Sequence, residues 1–175
     1  MENDIDLVNR GLLIENSFGW QDYNDLATKT TPITLTADTW TELPNDGAGP
    51  YTQTGHKIFD HGNIWDTAAN SFNFTDLSVG DVLIIRLSAT VTTYSSNINI
   101  GGKLKLAIGS GIEYDVPFFF GLVKSAGSHY ITTTTMIYIG NTETRDYPGK
   151  VLAFSDTSGT EVEVDGWIIT SLCRT

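Results

Sequence analysis

From residue 81 onward the chain alternates apolar and polar positions with a period of two. In "DVLIIRLSATVT" (81–92), Leu83, Ile85, Leu87, Ala89 and Val91 share one face, while Arg86, Ser88, Thr90 and Thr92 share the other. "NIGGKLKLAIG" sets Ile100, Leu104, Leu106 and Ile108 against Lys103 and Lys105. "HYITTTTMIYIG" sets Ile131, Thr133, Thr135, Ile137 and Ile139 against Tyr130, Thr132, Thr134, Met136 and Tyr138. "TEVEVDGWIITSL" assigns Val162, Val164, Ile168 and Leu172 to a core face, and Glu161, Glu163, Asp165, Trp167 and Ile169 to the opposite one. Successive side chains of a strand point to opposite sides, so this pattern predicts antiparallel strands with one face in a core. "PITLT", "TWTELP", "SFNFT", "IEYDVPFFFG" and "KVLAFS" add further strands, and "NDGAGP", "SVGD", "SAGS" and "SDTSG" supply turn residues between them. Roughly eight or nine strands without a convincing helix predict an all-β antiparallel sandwich, most naturally a jelly roll.

Residues 1–31 read differently. Ile5, Val8 and Leu12, then Trp20, Tyr23 and Ala27, show weak helical spacing, broken by Gly11 and Gly19. Helices this short are marginal in water on their own. The expected organisation is an N-terminal arm, 1–31, followed by a jelly-roll domain, 32–175. The arm has two readings. It lies against its own domain, or it is a docking segment whose Ile5, Leu12, Leu13, Phe18, Trp20 and Tyr23 find their pocket on a partner.

Some strands are apolar on both sides. In "DVPFFFGLV", Val116, Phe118 and Phe120 point one way while Pro117 and Phe119 point the other. Met136, Tyr138, Trp167 and Ile169 likewise fall opposite the assigned core positions. A second core under a loop accounts for this, and so does a subunit interface, where aromatics and Met are enriched. The second reading predicts an oligomer.

Composition narrows the functions. A chain of 175 residues fits one domain able to bury a real core. Its net charge of −11 repels phosphate backbones, and Lys103 and Lys105 form its densest basic pair, so nucleic acid is not an expected partner. The single Cys173 rules out an internal disulfide and a cysteine zinc cage. The acidic opening "MENDIDLVNRGLLIENS" does not read as a secretory signal, and no apolar run approaches the roughly 20 residues that span a bilayer. No membrane partner and no cofactor are expected.

Catalytic chemistry is poorly represented. His56, His61 and His129 are far apart and fit no paired metal spacing, and the nucleophile-elbow, phosphate-loop and dinucleotide patterns are missing. Glu113 with Asp115, and Glu161 with Glu163 and Asp165, share strand faces. Acid–base work would require burial that splits their pKa values, whereas their alternation with core residues places them in water. Asp60, Asn63 and Asp66 in "DHGNIWDTAANSFNFTDLSVGD" (60–81) are too sparse for a calcium loop. Asn70, Asp76, Gly80 and Asp81 suit turns there, with Trp65, Phe72, Phe74 and Leu77 as core anchors. The reading is a protein that is not an enzyme.

Three segments carry a family resemblance: "TWTELPNDGAGP", "IWDTAANSFNFTDLSVGDVLIIRLSATVT" and the closing "VDGWIITSLCR". Together they resemble the jelly-roll domains of tailed-bacteriophage virion proteins, found in capsid decoration proteins, head fibres and fibre tips. The topology is shared with tumour necrosis factor-like trimers. The resemblance covers about residues 33–174 and rests on packing and turn patterns. It implies a homotrimer with the last strand's sheet facing the threefold axis, placing Phe119, Met136, Tyr138, Trp167 and Ile169 near neighbouring subunits. It also implies a location on the virion, at the capsid surface, after synthesis in the host cytoplasm.

The leading expectation is a trimeric capsid decoration, or cement, protein that binds the major capsid protein or another virion protein and stabilises the head. The alternative is a head-fibre or tail-fibre tip module that binds a host-surface glycan through loop aromatics such as Tyr51, Trp65, Tyr94 and Tyr147.

Overall fold

The computed structural model describes residues 17–58 and 60–174. Two antiparallel sheets face each other. The first has the order β1 (Phe18–Asn24), β11 (Glu161–Leu172), β6 (Val82–Thr93), β9 (Gly127–Tyr138), with β2 (Ile33–Thr34) also pairing with β11. The second has the order β3 (Thr41–Glu42), β10 (Lys150–Ser155), β7 (Ile98–Leu106), β8 (Tyr114–Val123). A small hairpin of β4 (Trp65–Asp66) and β5 (Ser71–Phe72) and two single-turn helices, α1 (Ala27–Thr30) and α2 (Thr142–Asp146), fill the connections. After β6 the chain makes β7 and β8 in the second sheet, returns to the first for β9, crosses again for β10 and closes with β11. This double-sheet winding is a jelly roll.

The core forms where the alternation places it. Leu83, Ile85, Leu87 and Val91 of β6 meet Ile100, Leu104 and Leu106 of β7 and Val151 of β10, all buried. Each such side chain contributes about 1.5–3 kcal/mol by leaving water. Trp65, Phe72, Phe74 and Leu77 close one end of this core. Trp65 meets Phe72 and Trp167 edge-on, with ring centroids 4.9 and 5.7 Å away, and its Nε1–H donates to Asn45 O at 2.8 Å. The acidic residues around it shape turns. Asp66 accepts from the Ala68 and Ala69 amides, Asp76 from Gly62 N, and Asp81 from Ser78 N and Arg174 N.

The expected boundary at 31/32 is not a packing boundary among the described residues. Residues 18–24 are a strand, paired with β11 over its whole length from Phe18↔Leu172 to Asn24↔Gly166. Tyr23 is 1% exposed. Its hydroxyl donates to Gln21 Oε1 at 2.9 Å, and burial pushes its pKa up to about 12. Gln21, also buried, accepts from Ile64 N at 2.9 Å and donates to Gly62 O at 3.2 Å. Asp25 fixes the corner after the strand by accepting from Thr28 N, Thr28 Oγ1 and Asp46 N. The expected helical arm is therefore, from residue 18, part of the sandwich, because β11 offers it a full ladder and a core for Tyr23.

Two β-bulges correct the assignment of faces. In β11, Val164 pairs with Ala89 and Gly166 with Ser88, which leaves Asp165 as an extra residue. Side-chain parity reverses there. Val162 and Val164 point inward before the bulge, and Trp167, Ile169 and Ser171 point inward after it. Trp167 and Ile169 are thus core residues, and Ile168 and Leu172 take the outer face. Gly166, at φ 157°, makes this possible: a Cβ there would lie 2.4 Å from Tyr23 O. In β8, Gly102 pairs with Phe119 and Lys103 with Pro117, so Phe118 is the extra residue. Phe118 and Phe119 both pack against the core while Phe120 turns outward. Gly102 leaves room for this, since a Cβ on it would meet the Phe118 ring at 2.4 Å.

Candidate functional site

The outer face of the first sheet divides into an apolar half and a polar half. Cross-strand pairing builds two successive apolar rows over β1, β11, β6 and β9: Phe18, Leu172, Val82 and Tyr138, then Trp20, Thr170, Ile84 and Met136. Phe18 is 51% exposed, Leu172 41%, Met136 64% and Tyr138 56%. Trp20, half-buried, stacks on His56 with ring centroids 4.5 Å apart. The next rows are polar: Asp22, Ile168, Arg86 and Thr134, then Asn24, Gly166, Ser88 and Thr132. Asp22 accepts from Asn24 Nδ2 at 2.9 Å. Burial pushes its carboxyl above the usual range, offset in part by Arg86 and by that hydrogen bond.

A second apolar surface lies at the edge where β8 and β9 run side by side. Thr133 Oγ1 of β9 donates to Phe118 O of β8 at 2.9 Å across the gap between the sheets. Beside this contact β8 presents Phe120, 71% exposed, and Leu122, 50% exposed. Behind it the sheets enclose an apolar void of about 50 Å³ against Leu43, Ala89, Phe118 and Ile131. A neighbouring void of about 40 Å³ reaches Trp167, whose Nε1–H has no hydrogen-bond partner among the described residues.

The outer face of the second sheet carries Phe120 and Leu122 opposite Gly101 and Asn99, but elsewhere it is ionic. Lys150 pairs with Glu42 at 2.7 Å, Lys103 with Asp115 at 2.7 Å and Lys105 with Glu113 at 2.6 Å. Lys103 Nζ also lies 4.2 Å from the centre of the Trp40 ring and covers it. Lys105, with Gly109 N–H behind it, holds the Glu113 carboxyl below the ordinary carboxylate range. These acidic residues sit in water as paired surface charges.

Of the residues expected to dock on a partner, Ile5, Leu12 and Leu13 lie outside the described residues. Phe18 and Trp20 are on the apolar half of the outer face, and Tyr23 is in the core. Among the expected interface residues, Met136 and Tyr138 join Phe18 in that apolar half. Phe119 is half-buried against the core, and Trp167 and Ile169 lie inside it. Sequence reasoning missed Phe120 and Leu122, and it placed Leu172 in the core. The loop aromatics do not gather. Trp65 is in the core, Tyr94 donates to Glu161 Oε2 at 2.7 Å, and Tyr51 and Tyr147 are exposed on other connections. His56 lies against Trp20, and His129 contacts Ser125 O at 3.0 Å. Among the described residues no three His, Cys, Asp or Glu side chains converge, and no helix is long and apolar enough to cross a membrane.

No family model and no curated protein sequence matches the chain. Solved structures do. The Eiger TNF from S. frugiperda is 9% identical with a TM-score of 0.49, covering 90% of this chain and 94% of its own. The CBM22-1 xylan-binding domain of Paenibacillus barcinonensis Xyn10C is 8% identical with a TM-score of 0.46, covering 88% and 94%. The PRD1 vertex protein P5 is 12% identical with a TM-score of 0.40, covering 91% and 98%. At these scores the likenesses carry no inference about role, and the jelly-roll assignment stands on the strand order of the chain itself.

Proposed function

We propose that this chain is a structural protein of a tailed-bacteriophage virion, a homotrimer that decorates the outside of the head, binds the major capsid protein and stabilises the shell. The observation that supports this most is the apolar half of the outer face, where Phe18, Leu172, Tyr138 and Met136 stand open in the single chain. Monomeric soluble proteins rarely leave contiguous apolar patches beyond a few hundred Å² uncovered. The second open surface, Phe120 and Leu122 on β8, is made of different residues on the other sheet. A contact between two unlike patches is heterologous, and it ends only when a ring closes. A three-membered ring with the last strand's sheet toward the axis agrees with the resemblance of "VDGWIITSLCR" and its companion segments to phage jelly-roll proteins. Residues 1–16, which adjoin Phe18, are the part of the expected arm left to meet the capsid.

Light scattering on the full chain tests the assembly. Three chain masses are expected, and a monomer at micromolar concentration overturns the proposal. Binding to undecorated capsids tests the role. Deleting residues 1–16 is expected to abolish occupancy and leave the oligomer intact, whereas full occupancy by the truncated protein removes the arm from the mechanism. Deleting residues 1–30 would be uninformative, because it also removes β1 and Tyr23 from the fold.

A further inference from the structure

The polar half of the outer face contains a concavity of about 220 Å³ that the assembly proposed above does not use. The β11 bulge builds it. Asp165, the extra residue, stands out of the sheet, held by Lys29 at 3.5 Å and Thr90 Oγ1 at 3.3 Å. Beside it Gly166 contributes no side chain, so the surface dips. Ile168 forms the floor, with Asp22 beside it on β1 and Arg86 beside it on β6. Tyr130 of β9, 66% exposed, closes the far side.

The groups around this dip select a ligand class. The Arg86 guanidinium makes no hydrogen bond or close ion pair among the described residues, although it offers five donors in a fixed fork. Asp22 spends one oxygen on Asn24 and keeps accepting capacity. An anionic ligand would meet Asp22 and Asp165, and a cationic one Arg86 and Lys29, so a charge of either sign is opposed. An apolar ligand would strip water from all four. A neutral ligand that both donates and accepts, with a C–H face to lie on Ile168 and the Tyr130 ring, satisfies every wall. The volume is below the roughly 300–1,000 Å³ of sites that enclose drug-sized ligands, and it suits a single ring. We propose that this concavity binds one sugar ring of a neutral glycan, with Arg86 donating to and Asp22 accepting from its hydroxyls and Tyr130 stacking against it. The proposal is independent of the trimer and of the capsid role.

The test is amide-resolved NMR titration of the full chain with neutral gluco-, xylo-, manno- and galacto-oligosaccharides, and with inorganic phosphate as a further arm. At least one oligosaccharide is expected to shift the amides of Asp22, Arg86, Tyr130 and Gly166. Arg86→Ala, a surface change that leaves the core untouched, is expected to weaken that binding by about tenfold or more, the loss of a charge-assisted hydrogen bond. Tyr147→Ala, on a connection that lines none of this concavity, is expected to leave it unchanged. No shift with any neutral oligosaccharide overturns the proposal. Shifts that survive Arg86→Ala overturn it, as do shifts lost on Tyr147→Ala. A response to phosphate alone also overturns it and makes the dip an anion site. The oligomeric mass, measured on the same samples, reports on the assembly separately.

Discussion

The two outer faces of this sandwich are built from antiparallel strands with the same pleat, yet they meet water differently. On the second sheet, three lysine–carboxylate pairs run across the surface, and Lys103 sets its ammonium over the Trp40 ring. On the first sheet, eight positions in two rows carry a single hydroxyl-bearing residue other than Tyr138, namely Thr170, and no charge. The ion pairs are complete in the single chain, while Phe120 and Leu122 stand open farther along β8 on the same side. The apolar rows of the first sheet stand open to water in the single chain. Surface ion pairs contribute little to stability, with a median of roughly 0–1 kcal/mol, but they keep a face solvated. The difference therefore concerns what each face is for more than what holds the fold together.

The sharpest way to break this comparison is to remove the device that divides the first face. Gly166→Ala puts a Cβ against Tyr23 O, so the bulge cannot form as built and the residues after it lose their side. A loss of roughly 2–4 kcal/mol is expected in urea denaturation. A loss below about 0.5 kcal/mol would mean that the strand tolerates the side chain and that parity is fixed elsewhere. Next in size is Met136→Asp. It should reduce the scattering mass to that of one chain while shifting the unfolding free energy of the isolated chain by less than about 0.5 kcal/mol, because the side chain is mostly in water there. An unchanged oligomer would show that the apolar rows are not the contact.

The ionic face should respond weakly and differently. Glu113→Gln is expected to leave the mass unchanged and to alter only the acid limb of stability. The folded carboxyl sits below its unfolded value, because Lys105 and Gly109 N–H favour the charged form. Its contribution is therefore present above the unfolded pKa of about 4.3 and disappears as pH falls through the lower folded value. Urea midpoints at neutral and acid pH should differ slightly less in the variant than in the parent, and high salt should erase the gap. Identical acid loss in both would assign the pair no role. The smallest effect concerns Cys173, one residue beyond the apolar rows. Burial, with Asp81 beside it, pushes its thiol up to about 12. Alkylation at pH 8 should be very slow in the native chain and fast in urea. Rapid native reaction would mean that this end of β11 opens readily.

Much of the fold was legible in the sequence, and the failures have physical causes. Every long strand after residue 80 showed its period of two, because one face had to be apolar. The face assignment failed at two places, "DVPFFFG" and "VDGWII", where a bulge reverses the parity that alternation takes for granted. The clue was the glycines: Gly102 opposite the phenylalanines and Gly166 within its own strand, since a glycine inside a strand pattern marks a bulge or a close approach. β1 was hidden for a different reason. Its inward positions are Gly19, Gln21 and Tyr23, and a glutamine buried by hydrogen bonds to Gly62, Ile64 and Tyr23 looks like a surface residue in a hydropathy pattern. The candidate surfaces were half legible. Met136 and Tyr138 followed from alternation, whereas Leu172, Phe120 and the dip beside Gly166 depend on the bulges and appear only in three dimensions.

The position of β11 also fixes an order of events during synthesis. It is the last strand in chain order, yet it lies inside its sheet, with β1 on one side and β6 on the other. Until it emerges from the ribosome, β1 lacks its ladder and one edge of β6 is unpaired. A nascent chain stalled before Glu161 would leave that edge of β6 open and the core without Val164, Trp167 and Ile169, a species prone to aggregate. The decisive step of folding thus waits for β11, and chains terminated before it should be insoluble rather than merely unstable.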